Sequence, residues 1–326
     1  MKSRRLSDID KLKGLAIFLV VLGHIVARQP PTGNEWYMRL KDSLYLFHMP
    51  LFMFLSGLIV AYSRKPIDSW AAYLGYVKGK FLRLMPAYLL FSLIVFVGKM
   101  TMGRVMHVDN GVESWWNYFE VLTNPLGSYC AYLWYIYVLF LFCAIVPIVY
   151  RLTREHIEWV LPLCLAVHFL DLPSWFGISS LGEYSLVFFL GCLAGDHYER
   201  YSEWIARNGV FFVAPFLVII YFSVPWGAPK LLMGLLSIPA CHAMVGIPAA
   251  DRWDFLKTLG AYTFPIYLMN TLCIGVTKGV MLKWVSWDGI NFLWFAPLLL
   301  LAGIWGPILI KQQILSRSQT LNRMIA

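Results

Sequence analysis

Residues Leu12–His24 read LKGLAIFLVVLGH, an unbroken apolar run from Leu15 to Leu22 with Lys13 near one end and His24 at the other. In an α-helix, eleven positions turn through about three turns plus ~20° and rise ~16 Å, so Lys13 and His24 share one face with Ile17 and Val20 between them. Such a run fits either a helix buried in a soluble core or a membrane span. Composition decides between them. The chain of 326 residues is 59% hydrophobic and only 14% charged, against about 45–50% and about 25% in soluble domains. The segment is therefore expected to be the first span of a membrane protein.

Apolar segments able to cross a hydrocarbon core ~30 Å thick recur to the end of the chain. Ten are expected, at about 13–30, 43–62, 84–102, 131–150, 157–172, 183–196, 209–225, 231–249, 259–280 and 290–310. The fifth and sixth are short, and the eighth carries Pro239 and His242. Many of the 14 Trp fall near the ends of these runs, where amphipathic rings settle among headgroups. With the N-terminus inside, 19 of the 27 Lys and Arg fall in inner connections, which is the cytoplasmic excess that sets orientation. The net charge of +9 thus sorts by membrane side and calls for no nucleic-acid partner. MKSRR followed by the apolar run and Ile25-Val26-Ala27 has the parts of a cleavable signal; retention is expected, because many later segments would anchor the chain. The six Cys contain no C-x-x-C pair and lie mostly inside apolar runs, which points to neither a disulfide framework nor a zinc site. No internal repeat or low-complexity tract stands out. Two stretches are expected to rest on the membrane surface: SWAAYLGYVKGKFLRLMP (Ser69–Pro86) on the inner side, ahead of a span opened by Pro86, and VESWWNYFEVL in the outer loop from about Thr101 to Cys130.

With Lys13 at the inner headgroups, His24 would lie just past the bilayer middle. An ionisable group at that depth marks a functional site by default, although a neutral His that ties two helices by a hydrogen bond has the same pattern. His48 enters the second span at a similar depth. Antiparallel neighbours commonly pack together, so the two histidines would share a cavity; the alternative is an interfacial side chain beside Pro50. A neutral imidazole with a pKa near 6.5 suits a general base. Ser56-Gly57 reads first as close helix packing, and no G-x-S-x-G elbow supports a serine hydrolase. Lys13 with the inner cluster Arg64, Lys65, Lys78, Lys80 and Arg83 suits a polyanionic phosphate ligand, though such clusters also simply obey the charge rule. A phosphate-bearing donor inside and a proton acceptor toward the outside fit group transfer across the membrane.

These residues resemble the integral-membrane acyltransferase 3 family, which acylates sugars of bacterial envelope polysaccharides. Its first span begins with Asp-x-Leu-Arg-Gly and ends in His with ten residues between Arg and His; Asp10-Lys11-Leu12-Lys13-Gly14 through His24 keeps that spacing, with Lys13 in the place of Arg. PLFMFLSG (Pro50–Gly57) is similar to the family's Phe-rich stretch ending Ser-Gly. KFLRLMP, with Arg83 and Pro86, looks like its basic stretch before a proline, and Leu133-Trp134-Tyr135 like its Leu-Trp-Tyr signature. YTFPIYLMN (Tyr262–Asn270) is similar to a segment that often ends in His, so Asn270 is a second departure. The resemblance implies an acyl-CoA co-substrate, usually acetyl-CoA, on the cytoplasmic side and no permanently bound cofactor. It implies a sugar hydroxyl of a surface polysaccharide or lipid-linked glycan as acceptor. His24 would be catalytic with His48 as its partner. Lys13, Arg83, Lys80 and Lys78 would hold the coenzyme A phosphates, and Ser56, Trp134 and Tyr267 would line the cavity.

The expected protein is thus an all-α polytopic membrane protein of about ten transmembrane helices with both termini cytoplasmic, one acyltransferase domain over residues 1–326 with no separate soluble domain. It would work in a bacterial inner membrane as an O-acyltransferase, most simply an O-acetyltransferase. A transporter or flippase for a lipid-linked sugar is the alternative, with the histidines relaying protons.

Overall fold

The computed structural model describes residues 6–27, 30–102, 111–247 and 254–325. Among these the chain is all-helical. In order come α1 (Ser7–His24), α2 (Glu35–Tyr45), α3 (His48–Tyr62), α4 (Trp70–Met102), α5 (Glu120–Thr123), α6 (Trp134–Leu152), α7 (Leu161–His168) and α8 (Ile178–Asp196). Then follow α9 (Tyr198–Asn208), α10 (Val210–Trp226), α11 (Lys230–Gly246), α12 (Asp254–Ala261), α13 (Thr263–Met281), α14 (Phe292–Gln313) and α15 (Gln319–Met324). Lys2, Arg4 and Arg5, counted toward an inner N-terminus, and Arg28, Arg104 and Arg252 lie outside the described residues.

Among the described residues, six helical stretches are long and apolar enough to cross a membrane, or seven if α9 and α10, bent by 70° at their junction, form one broken span. The ten expected segments all contain helix, but two of them, Ile157–His168 and Lys230–Gly246, form only shorter apolar helices. The first expected span is too charged to count by composition, because α1 begins seven residues into the chain and carries Asp8, Asp10, Lys11 and Lys13. The protein is multi-pass all the same.

The chain forms two compact units: residues 1–63 with 190–310, and residues 64–189 with 311–326. In the first, α1 is the central helix. It packs against α2, α3, α11, α12 and α13, and its buried residues (among them Leu12, Ala16, Ile17, Val20 and Val21) lie on more than one face, as expected of a helix surrounded by others. Glycine sets how closely the helices approach. A Cβ on Gly14 would come within 1.9 Å of the Leu256 carbonyl oxygen of α12, and one on Gly260 within 2.0 Å of that of Asp10. Small residues at a crossing let backbones touch, which is how helices associate where no water drives them together.

Residues at the two ends of this unit also pair. At one end Asp8 accepts hydrogen bonds from the Tyr198 hydroxyl and from His242 Nε2 (3.0 Å), and the Tyr201 hydroxyl meets His242 Nδ1 at 2.9 Å. At the other, Asp288 accepts from the Thr32 N–H (2.7 Å) and from the Ser286 hydroxyl (2.6 Å), and the Gly289 N–H donates to the Thr32 carbonyl (2.8 Å). The Ser286 hydroxyl first, then the Thr32 N–H, hold the exposed Asp288 carboxyl below its usual range.

In the second unit α4 packs against α6 and α15. The segment Ser69–Pro86, expected to lie on the surface apart from the span, is instead the first half of one 33-residue helix, Trp70–Met102, with Pro86 inside it. Proline within a helix removes one N–H and crowds the carbonyl four residues earlier, which neighbouring helices in a membrane bundle tolerate. At ~1.5 Å per residue α4 is ~50 Å long, well beyond a ~30 Å core. That length leaves room for its basic half to extend past the hydrocarbon. The described part of the loop expected on the outer side is sewn onto the same helix by the Tyr118 hydroxyl to the Leu89 carbonyl (3.2 Å), the Tyr129 hydroxyl to the Ser92 carbonyl (3.1 Å) and Lys99 to the Tyr129 carbonyl (2.6 Å).

Candidate functional site

His24 is the last residue of α1, and α13 brings Asn270 against it. His24 Nδ1 lies 2.7 Å from Asn270 Oδ1. The roles of the atoms follow from the amide. Both hydrogens of Asn270 Nδ2 go to carbonyls of its own helix, Ile266 and Tyr267, at 2.9 Å each. Oδ1 must then be the acceptor facing the ring, so Nδ1 carries the proton and donates, and the lone pair of a neutral imidazole is on Nε2. Thr271 Oγ1 supports the same atom, donating to Asn270 Oδ1 at 3.1 Å and lying 3.4 Å from His24 Nδ1. Asn270 has no solvent exposure, and a fully buried amide with satisfied donors is held in one orientation. An uncharged acceptor that fixes an imidazole tautomer is the arrangement that general-base catalysis needs.

His48 is the first residue of α3, and it is buried rather than interfacial. Its Nδ1 donates to the Leu44 carbonyl at 2.6 Å. The Tyr45 ring packs on it at 4.9 Å between centroids, and the Tyr45 hydroxyl donates to the Gly23 carbonyl at 3.3 Å. One tyrosine thus links His48 to the residue before His24. Ser56 is buried, and its hydroxyl donates to the Phe52 carbonyl at 2.8 Å, the back-bonding of a hydroxyl within its own helix. Tyr267 is buried one helical turn before Asn270, with its ring 6.4 Å from that of Phe52.

Lys13, at the other end of α1, pairs with Asp10 at 3.3 Å and is 26% exposed. Lys78, Lys80, Arg83 and Trp134 belong to the second unit. Lys78 and Arg83 are exposed on α4, Lys80 sits over the Tyr76 ring at 5.3 Å, and Trp134 is buried with its ring 5.2 Å from that of Tyr184. Arg64 is held by Glu155 at 2.7 Å and stacks over Tyr150 at 3.7 Å.

Three further side chains meet the end of α1 from α2, a stretch that reads in the sequence as a short polar connection. Tyr37 donates to the Leu22 carbonyl at 2.5 Å, and Lys41 donates to the carbonyls of Val26 and Ala27 at 2.7 Å each. Tyr45 is the third. The spacing of four between Tyr37, Lys41 and Tyr45 was the available signal. The partnership of Asp8 with His242, Tyr198 and Tyr201 had none, since its members are far apart in the chain. Among the described residues, no group of three or more His, Cys, Asp or Glu is placed to hold a metal ion.

The family profile described as an acyltransferase domain, the acyltransferase 3 profile, matches residues 6–312. Over 221 residues the chain is 24% identical to Nodulation protein NolL of Mesorhizobium japonicum, covering 67% of this chain and 53% of that protein. Over 54 residues it is 43% identical to Nodulation protein NolL of Sinorhizobium fredii, covering 16% of this chain and 15% of that protein. The chain therefore spans about half the length of the first of these relatives and less of the second. No solved structure matches it.

Proposed function

The chain belongs to the acyltransferase 3 family, and on that premise we infer that it is a membrane O-acyltransferase, transferring an acyl group, most simply acetyl, from acyl-CoA to a sugar hydroxyl. The observation that carries this reading is the His24–Asn270 pair, a buried amide that fixes the protonated nitrogen of a histidine inside an apolar helix bundle. His24 Nε2 takes the proton of the acceptor hydroxyl as its oxygen attacks the thioester carbonyl. The carbon–oxygen bond forms, the carbon–sulfur bond breaks, and the coenzyme A thiolate leaves with the proton as free thiol. His48, tied to α1 through Tyr45, is the partner that shapes the pocket around the base.

Several features support an arrangement across the bilayer of a bacterial inner membrane, with ten crossings and both termini cytoplasmic. Most basic residues fall in the connections assigned to the inner side. Connections assigned to one side meet one another, Asp8 with Tyr198, and Thr32 with Asp288 and Gly289. On this reading Lys13, Arg83, Lys80 and Lys78 offer cations to the donor phosphates from the cytoplasm. The acceptor, a surface polysaccharide or lipid-linked glycan, arrives from the other face. Trp134, Ser56 and Tyr267 are proposed as cavity-lining positions.

Purified protein in detergent, given radiolabelled acetyl-CoA and a panel of glycan acceptors, tests the reading. Label on a glycan supports it; movement of a lipid-linked glycan across vesicles with no label transferred would favour a transporter. Variants at two positions follow. Asn270→Leu removes the acceptor that orients the ring, and kcat should fall roughly 10- to 100-fold, less than the ~10²–10⁴ attributable to the general base itself, with KM for acyl-CoA little changed. Wild-type kcat would remove Asn270 from the mechanism. Lys13→Ala should raise KM for acyl-CoA, while Lys13→Arg keeps the charge and with it the activity. An unchanged KM in Lys13→Ala would take Lys13 out of the donor site.

A further inference from the structure

An α-helix ends with four carbonyls that its own N–H groups cannot reach, and leaving such groups unpaired inside a protein is costly. At the end of α1 two of these carbonyls, and two more just past the helix, are met from one face of α2. Tyr37, Lys41 and Tyr45, one turn apart, donate to the carbonyls of Leu22, of Val26 and Ala27, and of Gly23 respectively. His24 lies between the two carbonyls taken by the tyrosines and the two taken by the lysine. Its backbone is therefore held from both sides.

Lys41 is the unusual member. Its residue is only 8% exposed, and an ammonium taken so far out of water needs strong partners. The two carbonyls at 2.7 Å supply them, and a cation also complements the negative end of the helix dipole. The apolar run was expected to stay helical to about residue 30, yet α1 stops at His24. Residues 30 and 31 are both proline, so the carbonyls of Val26 and Ala27 would find no N–H four residues on even if the helix continued, and Lys41 satisfies both. Tyr45 adds the second constraint. A Cβ on Gly23 would lie 2.9 Å from the Tyr45 ring, so the ring lies directly on the α1 backbone beside His24 while it also packs on His48.

We propose that Lys41, with Tyr45, is a positioning residue for acyl transfer at His24: by holding the backbone on both sides of that residue they keep the imidazole on Asn270 with Nε2 as the basic nitrogen. The proposal rests on the reading of His24 as the general base. A ring displaced by about 1 Å from its productive geometry can cost on the order of 100-fold in rate, so a role in positioning and a role in stability alone separate in kinetics.

Lys41→Met, Lys41→Arg and Tyr45→Phe should be compared with the wild type for kcat, for KM of acyl-CoA and for the imidazole 15N spectrum of histidine-labelled protein. Lys41→Met is expected to lower kcat roughly 10- to 100-fold with KM for acyl-CoA unchanged. Lys41→Arg, which restores charge and donors, should recover part of that loss. The wild-type spectrum should show His24 in one neutral tautomer, protonated on Nδ1, and Lys41→Met should show a mixture. A Lys41→Met protein with wild-type kcat and an unchanged His24 tautomer overturns the proposal. If that variant fails to accumulate, Tyr45→Phe decides, since it keeps the ring and loses only the bond to the Gly23 carbonyl; wild-type kcat and tautomer there overturn it equally. The spectrum does not depend on turnover. A wild type that transfers no acyl group would therefore defeat the reading of His24 as base, whereas a Lys41→Met spectrum identical to wild type would defeat the clamp.

Discussion

His24→Ala should abolish measurable acyl transfer from radiolabelled acyl-CoA while the protein inserts and accumulates as the wild type does. The size of the loss follows from the role. Removing a general base takes away ~10²–10⁴ in rate, which brings a slow membrane enzyme to background. The fold should survive for a structural reason. Asn270 Oδ1 keeps the Thr271 hydroxyl as a donor at 3.1 Å, and Asn270 Nδ2 keeps the carbonyls of Ile266 and Tyr267. The change removes the hydrogen bond to Asn270, worth about 0.5–1.5 kcal/mol, together with the other contacts of the ring. Gel filtration in detergent, run beside the transfer assay, separates loss of chemistry from loss of protein. Transfer at the wild-type rate by a well-folded His24→Ala variant would end the assignment.

The second large effect is expected at the crossing of α1 and α12, and it is one of assembly. A Cβ on Gly14 would stand 1.9 Å from the Leu256 carbonyl oxygen, and one on Gly260 2.0 Å from that of Asp10. Neither neighbour is a flexible side chain that can swing away, so the two helices would have to part. Overpacking of this kind costs ~1–3 kcal/mol and sometimes more, and separating the helices also shifts the one that carries His24. Gly14→Val should lower Tm in detergent sharply or prevent accumulation, and Gly14→Ala should do so more mildly. Gly75→Ala and Gly98→Ala, where an added Cβ meets nothing within 4 Å, serve as matched controls and should leave Tm near the wild-type value. Equal Tm values for Gly14→Val and Gly75→Ala would show that the close crossing does not exist.

Much of the helical layout was legible because long apolar runs have few other solutions. The runs expected at 131–150 and 290–310 correspond to α6 and α14, and His24 at the end of the first run was singled out by its depth. Other features were hidden for identifiable reasons. The stretch before the second span reads as a polar connection because it holds Glu35, Arg39, Lys41 and Asp42. Its helical face shows only in the spacing of Tyr37, Lys41 and Tyr45, and the carbonyls they serve have no trace in a sequence. Pro86 read as the start of a span, since proline favours a first helical turn; in α4 it lies inside a continuous helix instead. Asn270 was visible only as a departure from the family pattern, and its role came from the direction of its amide, set by two carbonyls of its own helix. Asp8 and His242 are 234 positions apart, beyond the reach of any periodicity.

Mass spectrometry of envelope glycans bears most directly on the central claim, that this chain acylates a sugar hydroxyl through His24. Three strains are needed: one lacking the protein, one carrying the wild type, and one carrying His24→Ala at equal abundance in the membrane. The expected result is a glycan fragment heavier by one acyl group in the wild-type strain alone, with the mass increment reporting the acyl group and fragmentation reporting its position. The same acylated fragment in all three strains, or in the wild-type and His24→Ala strains alike, would contradict it.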